Sequence, residues 1–162
     1  MELSNEQEND WWEVEALFDL CFAPGREALS SYRLRDGVPP LAALCHVARD
    51  PEGILGGAIR SWPVRVGIHE AVLLGPIAVH PTRQGEGLGG ILVRHCLNEA
   101  ARLGWARALL VGDVPYYSRF GFQRLRDVEM PAPTNPDRVL GTGDWHKVTG
   151  RVTRQANLEN GR

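Results

Sequence analysis

Leu73 to Leu103 reads LLGPIAVHPTRQGEGLGGILVRHCLNEAARL, and how this stretch divides decides the fold. Leu73–Val79 is an apolar strand, His80–Gln84 a polar connection, and Gly85, Gly87, Gly89 and Gly90 crowd the start of a helix. Leu88, Ile91, Leu92, Cys96, Ala100 and Leu103 recur on one face of that helix, and Gly104 stands where a C′ glycine belongs. Glycine has no Cβ, so the turn can aim its amides at a ligand and let it come close. A helix start also carries unpaired N–H groups and the positive end of the dipole. Strand, glycine turn and helix start together predict an anion site of the kind that takes phosphate.

Upstream, Trp11, Val14, Leu17, Phe18, Cys21 and Phe22 predict an amphipathic helix, capped by Asn9 or Asp10 and ended by Pro24-Gly25. Any strand before it must be short. A second helix is expected over Glu27 to Leu34. Three strands follow, Leu41 to Arg49, Ile54 to Val66 and Glu70 to Val79, joined by Asp50-Pro51-Glu52-Gly53 and by Gly67 as an antiparallel meander. Gly75-Pro76 interrupts the third, because proline cannot donate to a ladder; the strand is either bulged there or simply an edge. Downstream, Ala106–Gly112 is a short buried strand, which makes the unit a parallel right-handed crossover. A short helix near Pro115, a strand entered through Phe120-Gly121-Phe122, a proline-rich loop over Met130–Asp137 and two short strands at Arg138–Leu140 and Asp144–Val152 complete the reading.

At 162 residues, with 43% hydrophobic and 23% charged residues, the chain predicts a single soluble domain over residues 1–154 and a polar tail over 155–162. A net charge of −2 and scattered arginines argue against a nucleic-acid or membrane-surface partner. Three unpaired, widely spaced cysteines argue against disulfides and zinc. The acidic N-terminus is unlike a signal peptide, and no apolar run approaches the ~18 residues of a membrane span, so a cytoplasmic location is expected.

Two phosphate ligands compete for the glycine turn. Gly85-x-Gly87-x-x-Gly90 satisfies the dinucleotide pattern, with Asp113 placed as a ribose-binding acid. That fingerprint follows its strand directly, however, whereas five residues intervene here, and the meander is foreign to a doubly wound sheet. No Gly-Lys-[Ser/Thr] of a phosphate loop occurs. The other reading takes Gln84-x-x-Gly87-x-Gly89 after Ile77-Ala78-Val79, then Tyr116-Tyr117-Ser118-Arg119-Phe120-Gly121-Phe122, with a tyrosine four residues before Gly-Phe. In these two signatures the chain resembles the GNAT N-acetyltransferases. LLGPIAVHPTRQGEGLGG, LLVGD and YYSRFGF, with FAPGREALSSYRLRDG and RSWPV before them, resemble its YhbS-like branch of predicted bacterial acetyltransferases, over roughly Asp10 to Phe122.

The resemblance implies an α/β fold with a mixed, mostly antiparallel sheet of six to seven strands flanked by helices, and a splayed parallel strand pair. It implies acetyl-CoA as co-substrate with no metal, and direct transfer of an acetyl group to the amine of a small molecule or peptide. Gln84, Gly85, Glu86, Gly87, Leu88, Gly89 and Gly90 would then cradle the pyrophosphate, with the Glu86 side chain turned to solvent. The backbones of Ile77, Ala78 and Val79 would meet the pantetheine arm, and Asp113 and Tyr116 would complete the cofactor-binding set. The amide near Ala78 or Val79 would serve as an oxyanion donor. Tyr117 would protonate the departing thiolate. For the base, Glu70, His69, His80 and a water chain all stay open. Trp11, Tyr32, Arg33 and Trp62 are either an acceptor pocket or core, and Cys96 is structural. A non-catalytic acyl-CoA-binding regulatory module is the alternative function, and a homodimer is left open.

Overall fold

A computed structural model of the chain describes residues 1–22 and 30–155. The predicted helix end at Pro24-Gly25, the start of the second helix and nearly all of the polar tail lie outside these residues. Among them are nine strands: β1 (Glu2–Asn5), β2 (His46–Arg49), β3 (Leu55–Val66), β4 (His69–Val79), β5 (Arg107–Val111), β6 (Gln123–Arg124), β7 (Val128–Glu129), β8 (Val139–Gly143) and β9 (Gly150–Arg154). The main path runs β1-β2-β3-β4-β5-β8-β6, and β9 lies against β3 with β7 beyond it. Pairing is antiparallel except for β4 with β5 and β7 with β9.

The meander forms as its turn residues require. Asp50 accepts the Glu52 and Ile54 N–H groups, both at 2.9 Å, and Gly53 takes φ +84°. The first predicted strand forms only from His46. Ala42–Leu44 makes a 3₁₀ turn instead, with the Leu41 N–H donating to the Ser61 carbonyl. This detour after Pro39-Pro40 takes Leu41–Cys45 out of the expected ladder and fills the core with Leu41 and Leu44.

Helices cover both faces. α3 (Leu88–Arg102) buries Leu88, Leu92, Val93, Cys96 and Ala100 against Ile59, Val72, Leu74 and Leu110. Ile91, expected on that face, is 47% exposed: the buried arc turns toward Val93 instead. On the opposite face α1 (Trp11–Cys21) packs Val14, Leu17 and Phe18 on Val47, Ala58 and Ala78. α2 (Ser30–Arg33) leads into Leu34 and Val38, which cover Trp62, Val64 and Leu73. Trp11 does not join the core; it is 56% exposed at the first position of α1. Nor does Asp10 cap that helix. Its carboxylate accepts the Gln7 N–H at 2.7 Å and pairs with Arg49 at 2.8 Å.

β4 changes phase within its own length. Val72 and Leu74 face α3, and strict alternation would send Pro76 and Ala78 the same way. Instead Ile77 and Val79 pack toward α3 while Ala78 packs under α1. The register shows why: Ile59 pairs with Ile77 but Ser61 with Leu74, so Gly75 and Pro76 together oppose Arg60. The interruption is therefore a bulge in a central strand, not an edge. Gly75 has φ +118°, a conformation side-chain-bearing residues avoid.

His46 supplies a test of the packing. Its ring is 1% exposed under α3, lies edge-on to His95 at 4.5 Å, and burial, reinforced by His95, pushes its pKa down to about 4 from 6.5. Glu99, on the next turn, opposes that shift. A histidine held neutral in the fold contributes stability above its ordinary pKa and loses it as pH falls toward the folded value. Urea denaturation should therefore show stability dropping between about pH 6.5 and pH 4 by up to about 3 kcal/mol, and His46→Leu should flatten that part of the profile.

Candidate active site

β4 and β5 pair only at Val72–Ala108 and Leu73–Leu109. The bulge begins two residues later, and from there the strands part although both continue, β4 to Val79 and β5 to Val111. Beyond Leu73, the β5-facing edge of β4 meets no strand among the described residues. A cavity of about 640 Å³ fills the gap, with Leu74, Gly75 and Ile77 on one wall and Leu110, Gly112 and Tyr117 on the other. Its apolar walls with backbone polar groups at their edges suit a thin chain carrying amides.

The glycine turn follows the C-terminal end of β4 and does not itself line this slot; Tyr116, which does, reaches across to Gly89. Pro81–Arg83 forms a 3₁₀ turn, Gly85 and Gly87 take φ +90° and +79°, and Gly87 is the N-cap of α3. A Cβ on either glycine would meet nothing within 4 Å, so their left-handed backbone, rather than crowding, excludes other residues. No side chain caps α3, which leaves its first amides pointing out of the helix end. Gln84 and Glu86 are exposed, and Glu86 approaches Arg83 at 3.8 Å; Arg83 is itself anchored on Asp50 at 2.6 Å.

α4 (Val114–Tyr117) and the 3₁₀ turn after it bring the second signature onto the first. The Tyr116 hydroxyl lies 3.2 Å from where a Cβ of Gly89 would stand, and the Phe120 ring 3.4 Å from that of Gly90. Tyr117 is boxed between Tyr116, 4.9 Å away, and Phe122, 5.9 Å away, measured between ring centroids. Gly112 makes room for it: a Cβ there would come within 2.8 Å of Tyr117 Cδ2. Burial, then Tyr116 and Asp113, push the Tyr117 pKa up to about 12. Asp113 is exposed at the rim, 3.6 Å from Arg138.

The base alternatives fare unequally. His80 accepts the Thr82 N–H at 3.2 Å and bonds the Thr82 hydroxyl at 2.8 Å, so its ring organises the connection before the glycine turn. His69 and Glu70 begin β4, and five residues of strand separate Glu70 from the bulge, about 17 Å. Trp11, Tyr32, Arg33 and Trp62 do come together, around a second cavity of about 510 Å³ on the far side of Pro76. Trp62 is at once wall and core, its indole N–H donating to the Val38 carbonyl at 2.9 Å. Cys96 is buried against Ser61 at 3.3 Å, its pKa pushed up to about 11.

Three contributors had no signal in the sequence. Arg35, buried between the Tyr32 and Trp62 rings at 4.2 and 5.1 Å, borders both cavities. Arg60, opposite the bulge, binds both Glu6 oxygens at 2.9 Å and Glu15 at 2.6 Å. The Cys21 thiol donates to the Val79 carbonyl at 3.4 Å. All three join residues distant in sequence, which no local pattern records.

The model of the acetyltransferase (GNAT) domain matches residues 42–124, the segment that holds both signatures. The uncharacterized N-acetyltransferase YhbS of Escherichia coli K12 is 34% identical over 113 residues, covering 68% of this chain and 66% of that one. The crystal structure of E. coli YhbS in complex with CoA superposes with a TM-score of 0.81 at 29% identity, over 95% of this chain and 89% of that chain. A Brucella melitensis GNAT acetyltransferase in complex with acetyl-CoA gives 0.65 at 28% identity, over 96% of both chains. With that domain matched across half its length and centred on the splayed strands, the chain belongs to the GNAT acetyltransferase family.

Proposed function

We propose that the protein transfers an acetyl group from acetyl-CoA directly to the amine of an acceptor. The observation that carries this reading is the divergence of β4 from β5 at the Gly75-Pro76 bulge, beside an uncapped glycine-started helix. The slot fits the co-substrate: open strand-edge amides for its arm, and Gly85–Gly90 amides with the α3 dipole for its pyrophosphate. The relatives in complex with CoA and acetyl-CoA support the same assignment. We take residues 1–154 as the acyltransferase domain, working in the cytoplasm; no helix of the described residues is long and apolar enough to cross a membrane.

Acetyl-CoA supplies the activated acyl group, and the chain's residues hold, align and manage charge. The amide near Ala78 or Val79 donates to the carbonyl oxygen as it gains charge. Tyr117 is the hydrogen-bond and proton donor to the departing sulfur. A phenol at about 12 facing a thiol at its ordinary ~8.5 would give up its proton uphill by about 5 kcal/mol. Burial narrows that gap. The buried thiols of this protein, Cys45 and Cys96, are pushed up to about 12 and about 11, and a sulfur leaving inside the slot is desolvated in the same way. The amine enters from the cavity around Trp11, Tyr32 and Trp62, across Pro76 from the slot.

Thiol release from acetyl-CoA across an amine panel tests the reaction; coenzyme A binding without turnover on any amine would favour the regulatory module. Tyr117→Phe should lower kcat by about 10²–10⁴-fold while leaving coenzyme A affinity within about twofold. An unchanged kcat removes Tyr117 from the chemistry. The phenol must be protonated to act and stays so below about 12, so kcat should show no alkaline break between about pH 7 and pH 10.5. Gly112→Ala, which drives a methyl into the Tyr117 ring, should lower kcat in the same direction and destabilise the fold by about 1–3 kcal/mol in urea denaturation.

A further inference from the structure

A third cavity, of about 580 Å³, opens beside the start of α1. Trp11 and Trp12, 56% and 63% exposed, wall it, and Glu6, Glu8 and Asn9 line it. Trp11 also walls the cavity of about 510 Å³ beyond Pro76, so one residue borders both. The Glu6–Arg60 ion pair, at 2.9 Å, joins them too, with Glu6 lining the outer cavity and Arg60 the inner. The two cavities therefore differ in charge. Arg33, Arg35 and Arg60 face the inner one together with Glu15 and Asp36. The outer one is lined by Glu6 and Glu8 and, among the described residues, by no basic side chain.

The floor of the outer cavity is held in shape. Asn5 Nδ2 donates to the Ala42 and Cys45 carbonyls at 3.2 and 3.3 Å, and the Glu6 N–H donates to the Cys45 carbonyl at 2.9 Å. The Gln7 N–H donates to Asp10 at 2.7 Å, which fixes the turn that carries Glu8 and Asn9. The positive end of the α1 dipole lies close by and disfavours a cation. Glu8, Asp10 and Glu13 offset it, and they outnumber the Arg49 cation that Asp10 and Glu13 hold at 2.8 and 2.9 Å. An indole face attracts an organic cation through its quadrupole, and a carboxylate alongside adds Coulomb attraction.

We infer that the acceptor is a polypeptide and that the outer cavity takes one of its lysine or arginine side chains; the inference rests on the transfer reading above, with the amine entering beyond Pro76. The charge pattern selects the polypeptide. A compact polyamine would bring its ammonium groups among the inner arginines, and in the outer cavity it would find Glu8 alone, because Glu6 is committed to Arg60. A polypeptide lays neutral backbone along the inner cavity and carries its cation further on, to Trp11, Trp12 and Glu8. Exposed tryptophans on an open wall also suit a chain lying across the surface, where such rings anchor protein contacts. The Asn9 side chain stands beside them with both a donor and an acceptor for backbone amides.

Thiol release at saturating acetyl-CoA tests it on two sets of short peptides, one with a free N-terminal amine and one with a blocked N-terminus and a single lysine. In each set one arginine is walked along the peptide, with glutamine at the same place as its control; arginine presents the cation without adding a second acceptor amine. At one spacing the arginine peptide should show a kcat/KM about tenfold above its glutamine control, through KM with kcat unchanged. Trp12→Ala with Glu8→Gln, both at exposed side chains, should bring that advantage to near one with circular dichroism unchanged, and Glu8→Arg should invert it. Ile68→Ala, at an exposed apolar residue of the β3–β4 turn, should keep it. Equal values for arginine and glutamine peptides at every spacing overturn the inference, as does an advantage that survives the paired change. Release with spermidine that outruns every peptide and falls in Glu8→Arg makes the occupant a polyamine and also overturns it. Turnover of small amines and of no peptide overturns it while leaving the transfer reading intact. Coenzyme A binding with no turnover of any amine removes the transfer reading itself, and this inference with it.

Discussion

Two residues of β4 facing one of β3 is the constraint on which the rest of the structure depends. Gly75 and Pro76 stand opposite Arg60, and the surplus bends β4 just after its last pairs with β5. Without it the strands would stay zipped, and the amides that now face a 640 Å³ cavity would be consumed by the ladder. The same surplus reverses which side chains meet α3. Ala78, the small residue, then lies beneath α1, and Ile77 and Val79 complete the core under α3.

A bulge in a central strand needs support on its far side, and Arg60 organises it. Its guanidinium takes Glu6 and Glu15 together and lies over the Phe18 ring at 5.2 Å, joining the β1 end, α1 and β3 at the level of the bulge. Burying one cation with two carboxylates is weak as a source of net stability, since desolvation offsets most of the attraction. Its value is geometric: the fork fixes where α1 crosses the sheet. That in turn puts Trp11, at the start of α1, on the wall of the cavity beyond Pro76, and the Cys21 thiol, at its end, on the Val79 carbonyl.

Much of this was legible because it is local. Apolar runs bounded by Asp50-Pro51-Glu52-Gly53 and Gly67 specify the hairpins through turn chemistry. The glycine turn, the apolar period of α3 and its Gly104 terminus lie within one stretch. Even the bulge was half visible, since Gly-Pro cannot continue a ladder. Less legible were positions decided by neighbours: Ile91 is left 47% exposed while Val93 is buried in the core, and the Asp10 carboxylate pairs with Arg49 instead of capping α1.

The sequence by itself determined the order of elements, the mostly antiparallel sheet with one helical crossover, the glycine turn that starts α3 and the tyrosine signature. Each is set by backbone chemistry of residues close in the chain. Tertiary structure alone decided that Gly75-Pro76 is a central bulge and not an edge, that Tyr116 and Phe120 close onto Gly89 and Gly90, and that Arg35 and Arg60 flank the site. It also made Trp11 the border of two cavities, with Glu6 lining one and Arg60 the other. These depend on which surfaces meet once the sheet has twisted and the helices have covered it, and no periodicity within one element carries that information.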